Sequence, residues 1–129
     1  MAGRNRKSAK DAGTRFERLV ADYLAHGLQD DGVDRQVKAG IADKGDVRGL
    51  YLNGRRVVME CKDYGGTHHL PEWLREAERE RANADAAYGV VCWKRRNVGA
   101  GGLQYVTMTL KTFGEMLAGA PELWGEDDG

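Results

Sequence analysis

Two short groups of ionisable residues carry the chemistry open to this sequence: Asp46, within Gly45-Asp46-Val47, and the pair Glu60 and Lys62 on either side of Cys61. Glu60 and Lys62 stand two apart at the end of an apolar run, Val57-Val58-Met59. On a strand both side chains project from one face. Charges in such a run are unfavourable unless paired or bound to a metal. Asp46 lies upstream across Asn53-Gly54, the strongest short hairpin signal a sequence offers. Two carboxylates brought together there could grip one hard cation, with a backbone carbonyl and waters completing the oxygen shell that Mg²⁺ prefers. Lys62 beside such an ion could hold or help deprotonate an attacking water and stabilise charge on a phosphoryl oxygen. Together these parts describe metal-assisted phosphodiester hydrolysis. Taken as a bare E-x-K, the same residues read as an ion-pair face on an edge strand.

The register of the hairpin decides between these readings. A two-residue Asn53-Gly54 loop pairs Leu52 with Arg55 and carries Asp46 opposite Cys61, on the wrong face. A three-residue loop with Gly54 in the left-handed region places Asp46 opposite Glu60, and a bulge at Gly49 would serve as well.

The elements that must position these residues follow from periodicity and punctuation. A helix is expected over 14–26, stopping at Gly27, with Phe16, Leu19, Val20, Tyr23 and Leu24 on one face. Strands are expected at 33–41, 46–52 and 55–64. A second helix runs over 71–84 from Pro71, with Leu70, Trp73, Leu74, Ala77, Ala84 and the stem of Arg81 inward. The continuous apolar run 88–93 reads as a strand buried on both faces. A basic, glycine-rich loop over 94–102 leads to a strand at 104–110 and a short helix at 112–118, opened by a T-x-x-E pattern at Thr112 and Glu115. The fold class is therefore α/β: one domain, with a mixed sheet of about five strands flanked by helices.

At 129 residues the chain has the size of one domain and can bury a core without disulfide or zinc staples. No apolar run approaches the ~20 residues of a membrane span, and the basic start has no apolar stretch behind it, so neither a membrane partner nor a secretory signal is expected. Cys61 and Cys92 lie in apolar runs and read as reduced, buried thiols, which points to an intracellular, cytoplasmic protein. The balance of 20 basic and 20 acidic residues conceals an asymmetry. Arg4, Arg6, Lys7 and Lys10 make a basic arm over 1–12, and Glu122, Glu126, Asp127 and Asp128 an acidic tail over 120–129. Without that tail the remainder, arm included, is basic, and a basic body with an acidic tail is compatible with a polyanionic partner; a solvated surface with two frayed ends is the plainer reading.

Glu17 has two readings. Thr14-x-x-Glu17 is a capping box, yet Glu17 also borders the apolar stripe and could reach over the sheet towards a metal. His68-His69 could form a metal or general-base pair, or could be loop residues before a helix. Lys94, Arg95 and Arg96 could clamp phosphates or belong to a solvated loop.

The N-terminal helix with Glu17, Gly45-Asp46-Val47, and Glu60-Cys61-Lys62 in the next strand resemble the PD-(D/E)XK nuclease superfamily. Within it, the chain over about 13–118 is similar to the small Holliday junction resolvases of archaea and bacteriophages. The resemblance implies a restriction-endonuclease-like fold over 13–119, Mg²⁺ or Mn²⁺ dependence, a homodimer, and branched DNA with a four-way junction as substrate, in DNA recombination and repair. It implies Asp46, Glu60 and the Cys61 carbonyl as metal ligands, Lys62 as the catalytic lysine, and Glu17 as an acidic residue that orients water or assists the metal. Asp43 resembles an extra acidic position of some relatives, and a loop-turn role serves it equally. Arg4, Arg6, Lys7, Lys10, Lys94, Arg95 and Arg96 would touch DNA. The proline of the family's name is absent, since Gly45 precedes Asp46. A phage chain of this kind would act in the host cytoplasm. Two other readings stand beside it: a nickase, flap or restriction-type nuclease of the same superfamily, and a non-catalytic DNA-binding module on the same scaffold.

Overall fold

The run Val57-Val58-Met59 lies in β4 (Arg55–Lys62), the longest strand among the described residues, in a computed structural model that describes residues 4–38 and 43–119. Its neighbours are β1 (Asp34–Arg35), β2 (Val47–Arg48), β5 (Tyr88–Trp93) and β6 (Tyr105–Thr107), in the sheet order β1-β2-β4-β5-β6. A short β3 (Tyr51–Leu52) pairs with the start of β4. β4 runs antiparallel to β2 and parallel to β5, and β6 returns antiparallel on β5. The sheet is therefore mixed, as expected, and β4 is central. That removes the edge-strand reading of Glu60 and Lys62.

Helix α2 (Leu70–Asn83), with a proline in its first turn, supplies the crossover that a parallel β4–β5 pair requires. Alternation along the strands sends two sets of side chains to opposite faces. Met59, Cys61, Val90 and Cys92 join Phe16, Val20 and Ala21 of α1 (Arg6–Leu28), whereas Val91 packs with Trp73 and Ala77 of α2. Helix α3 (Leu110–Ala118) follows β6. Among the described residues no helix is long and apolar enough to cross a membrane.

Four expectations need correction. Helix α1 begins at Arg6, capped by Asn5, whose Oδ1 accepts the Ser8 N–H at 2.7 Å. Residues 6–12 are thus helix rather than a flexible arm, and Thr14 lies too deep in the helix to cap it. At the other end α1 runs through Gly27 and is closed by Gln29 in the left-handed conformation. The strand expected at 33–41 is only Asp34–Arg35, and residues 39–42 lie outside the described residues. Helix α3 is capped by Thr109, whose side chain accepts from the Thr112 N–H, one turn earlier than the Thr112–Glu115 pattern implied. The acidic tail at 120–129 lies outside the described residues.

Candidate functional site

Asp46 and Glu60 are brought together by a bulge. At the tip Leu52 pairs with Arg55 and Tyr51 with Arg56, around a two-residue turn in which Asn53 and Gly54 both have positive φ. Continued unchanged, that register would carry Asp46 to Cys61. Instead Val47 pairs with Met59, one residue out of step, and the Asp46 N–H donates to the Met59 carbonyl at 2.8 Å. The extra residue is absorbed at Gly49, where φ is +85°, while Leu50 accepts from the Val57 N–H at 2.8 Å. Gly49 and Leu50 together face Val57, a β-bulge with glycine in the left-handed position. It divides the single strand expected at 46–52 into β2 and β3 and sets Asp46 across from Glu60.

Gly45 explains the missing proline. Its φ of +91° lies outside the range a proline ring permits, and a Cβ there would come within 2.8 Å of Val58.

Both Asp46 oxygens are engaged. Oδ2 accepts the Cys61 N–H at 2.8 Å, and Oδ1 binds the Lys38 ammonium, which also lies 3.4 Å from the Gly45 carbonyl. Glu60 is buried, and its neighbour two residues on, Lys62, places Nζ 3.6 Å from Glu60 Oε1. The shared face is as expected. The partner of Lys62 at shortest range is Glu76 of α2, at 2.6 Å. Burial pulls the Lys62 ammonium down, but Glu76 and Glu60 outweigh it and hold its pKa above the usual lysine value.

Helix α2 adds a carboxylate the sequence reading passed over. Glu80 is only 3% exposed, and one oxygen each of Asp43, Glu60 and Glu80 lies within 4.8 Å of the others. Three acidic groups so close could hold a metal. Glu60 Oε2 and both Glu80 oxygens are buried without a donor. Burial first, then the close Glu80 carboxyl and the charge of Asp46, push the Glu60 carboxyl far above the carboxylate range. Burial likewise raises Glu80, to about 7. The signal for Glu80 lay in its spacing: it follows Trp73 and Ala77 by seven and three residues, on the buried face of α2.

Glu17 approaches from α1. Arg35 binds it at 3.1 Å, and its carboxyl is raised by burial and then by the charge of Asp46, which outweigh Arg35 and Lys38. Of its two readings, the capping role falls with the start of α1 at Arg6, and Glu17 lies near enough to Asp46 to be raised by its charge. The partners Lys38, Arg35 and Glu76 were not foreseen, and no local pattern marks them.

The other residues singled out have the following surroundings. His68 packs on Trp93 with ring centroids 5.1 Å apart, and His69 stands edge-on to Trp73 at the start of α2. Cys61 and Cys92 are free, buried, and side by side in the parallel ladder. Lys94 donates to the carbonyls of Arg95 and Val98, Arg96 donates to the Gly65 carbonyl, and the Arg95 guanidinium lies over the Tyr105 ring at 4.4 Å. This loop is knotted by its own cations. In α1, Lys7 pairs with Asp11 and Lys10 is exposed; Arg4 is bound to Asp63 at 3.0 Å. A groove lined by Arg4, Ala9, Gly13, Lys62 and Tyr64 runs beside the site.

No protein-family model, no curated protein and no solved structure matches this chain. The chemistry open to it follows from the geometry alone.

Proposed function

We propose that this chain is a divalent-metal-dependent endodeoxyribonuclease of the PD-(D/E)XK kind, acting on branched DNA and resolving four-way junctions as a homodimer. One observation carries the reading: the Gly49 bulge sets Asp46 across from Glu60 while Lys62 shares the face of Glu60 on the central strand. An acid pair with a lysine two residues on, at the end of a buried strand, suits hydrolysis of a phosphodiester better than ion-pairing for stability, since buried charges cost more than apolar packing.

The residues present fit a Mg²⁺ or Mn²⁺ ion. A cation, the Lys38 ammonium, already stands at Asp46 Oδ1 and near the Gly45 carbonyl, and its side chain is half exposed and free to withdraw. Asp46, Glu60 and the Cys61 carbonyl would hold the ion. When bound, it polarises the scissile phosphate and makes a coordinated water more acidic. Lys62, fixed by Glu76 and Glu60, donates from Nζ to a phosphoryl oxygen or to the attacking water. Glu17, held by Arg35, accepts from that water. The groove beside Lys62 gives the DNA strand a path, with Gly13 leaving open space above α1. Two equivalent phosphodiesters in a symmetric junction call for two sites related by a twofold axis. Two free, buried thiols fit an intracellular protein, in a host cytoplasm if the chain is of phage origin.

The test is cleavage of a synthetic four-way junction, a duplex and a flap, each with Mg²⁺ or EDTA. Paired, symmetric cuts in the junction alone are expected. Cutting of duplex or flap at the same rate would assign the chain to another nuclease class. An inert protein on all three would leave DNA binding only. Lys62→Ala should abolish cleavage and keep binding.

A further inference from the structure

We infer that Asp43, Glu60 and Glu80 form a second divalent-cation position, inboard of the Asp46 oxygens and shared with them through Glu60. The inference stands on the carboxylates themselves and holds whether or not the chain cuts DNA. One oxygen from each residue lies within 4.8 Å of the other two. For a hard divalent ion with oxygen ligands at about 2.1–2.5 Å, oxygens on opposite sides are about 4–5 Å apart, so this spread matches one ion.

Glu80 supplies the independent observation. It is 3% exposed, on the face of α2 that otherwise carries Trp73 and Ala77, and neither of its oxygens meets a donor; Glu60 Oε2 is equally bare. A buried carboxylate without a donor is expensive, and an apolar side chain would pack there at no such cost. The cations nearby are committed elsewhere: Lys62 lies closer to Glu76 than to Glu60, and Lys38 is bound at Asp46. The third ligand is held in place from both sides. Asp43 Oδ1 accepts the Gly45 N–H at 2.9 Å, and its backbone carbonyl accepts from Asn83 Nδ2 at 3.0 Å, fastening the loop to the end of α2. Asp43 is exposed, so the position opens to water on that side, as an ion needing water ligands requires.

Mn²⁺ titration of the full chain without nucleic acid, followed by the free-ion EPR signal, tests this. Wild type should hold two ions. Glu80→Gln and Asp46→Asn should each retain one, and Glu60→Gln should lose both. Asp43→Asn, at an exposed site that does not endanger folding, should weaken one of the two at least tenfold. Glu80→Gln that binds as many ions as wild type, or a wild type that binds none, overturns the inference; a wild type that binds one ion, lost in Glu80→Gln and kept in Asp46→Asn, upholds it and removes the Asp46 position instead. Two bound ions with no cleavage of any DNA would sink the nuclease reading and leave this one standing.

Discussion

The Lys62 ammonium is bonded at 2.6 Å to Glu76, on the helix that follows its strand. Glu60, on the same strand face, is an ångström further away. Glu76 therefore fixes where Nζ points and helps keep it charged. Glu76→Gln keeps the shape but removes the charge. A hydrogen bond to a charged group contributes about 1.5–3 kcal/mol, so kcat should fall about 10- to 100-fold. With the opposing charge gone, burial lowers the Lys62 pKa, and the alkaline limb of the pH–rate profile should move to lower pH while DNA affinity stays unchanged. An unmoved limb would show that Glu76 does not act through Lys62.

Gly49 sets the register on which the site depends. Its φ of +85° disfavours any side chain, and a Cβ would lie 2.5 Å from the Gly32 carbonyl oxygen. Gly49→Ala should destabilise the protein by about 1–3 kcal/mol, measured by urea unfolding. Metal binding should weaken alongside, because relaxing the bulge carries Asp46 towards Cys61. A Gly49→Ala protein with wild-type stability would show that the bulge is not under this constraint.

Much of this arrangement is readable from residue types. Asn53-Gly54 places the turn, Val57-Val58-Met59 marks a central strand, and the hydrophobic run at 88–93 matches β5 residue for residue. The bulge was one of two ways to satisfy the demand that Asp46 face Glu60, and only coordinates choose between a longer loop and a bulge. Glu80 escaped because a lone acid in a helix rich in Glu and Arg looks solvated. Its burial depends on which way α2 rolls against β5. The start of α1 escaped because Arg6, Lys7 and Lys10 mask a helix whose cap, Asn5, is followed by no acidic first turn.

Without metal, the protein should lose stability as pH rises. The Glu60 and Glu80 carboxyls have folded pKa values raised by burial above the ordinary 4.5, so the folded state binds more protons than the unfolded chain. Their favourable contribution is fully present below about pH 4.5 and is lost through the Glu80 value of about 7 and beyond. The melting temperature of the metal-free protein, corrected with Glu80→Gln as the reference, should fall by several degrees between pH 5 and pH 8. Identical pH profiles for the two proteins would refute carboxyls raised by burial at this pair.

DNA binding should divide the basic residues into two classes. Lys94 Nζ is committed to two loop carbonyls at 2.7 and 2.6 Å, so Lys94→Ala should lower the melting temperature. Lys10 is exposed on α1, and Lys10→Ala should leave stability alone and reduce the salt slope of DNA binding by about one. Binding that does not change with salt would exclude phosphate contacts by α1.

The last expectation concerns the face through which the proposed homodimer would form. On α3, Leu110, Phe113 and Leu117 recur at helical spacing and stay exposed, at 83%, 49% and 74%, and Tyr105 and Val106 are exposed on the edge strand β6 just before them. An apolar stripe next to an open strand edge is a surface that association covers. Leu117→Lys should weaken the dimer by at least about tenfold, seen as a monomer mass in light scattering, without lowering the melting temperature of the fold. Junction cuts should then become unpaired nicks, because each monomer engages one strand. A wild-type protein that remains a monomer at every concentration tested would remove both the dimer and the paired cut.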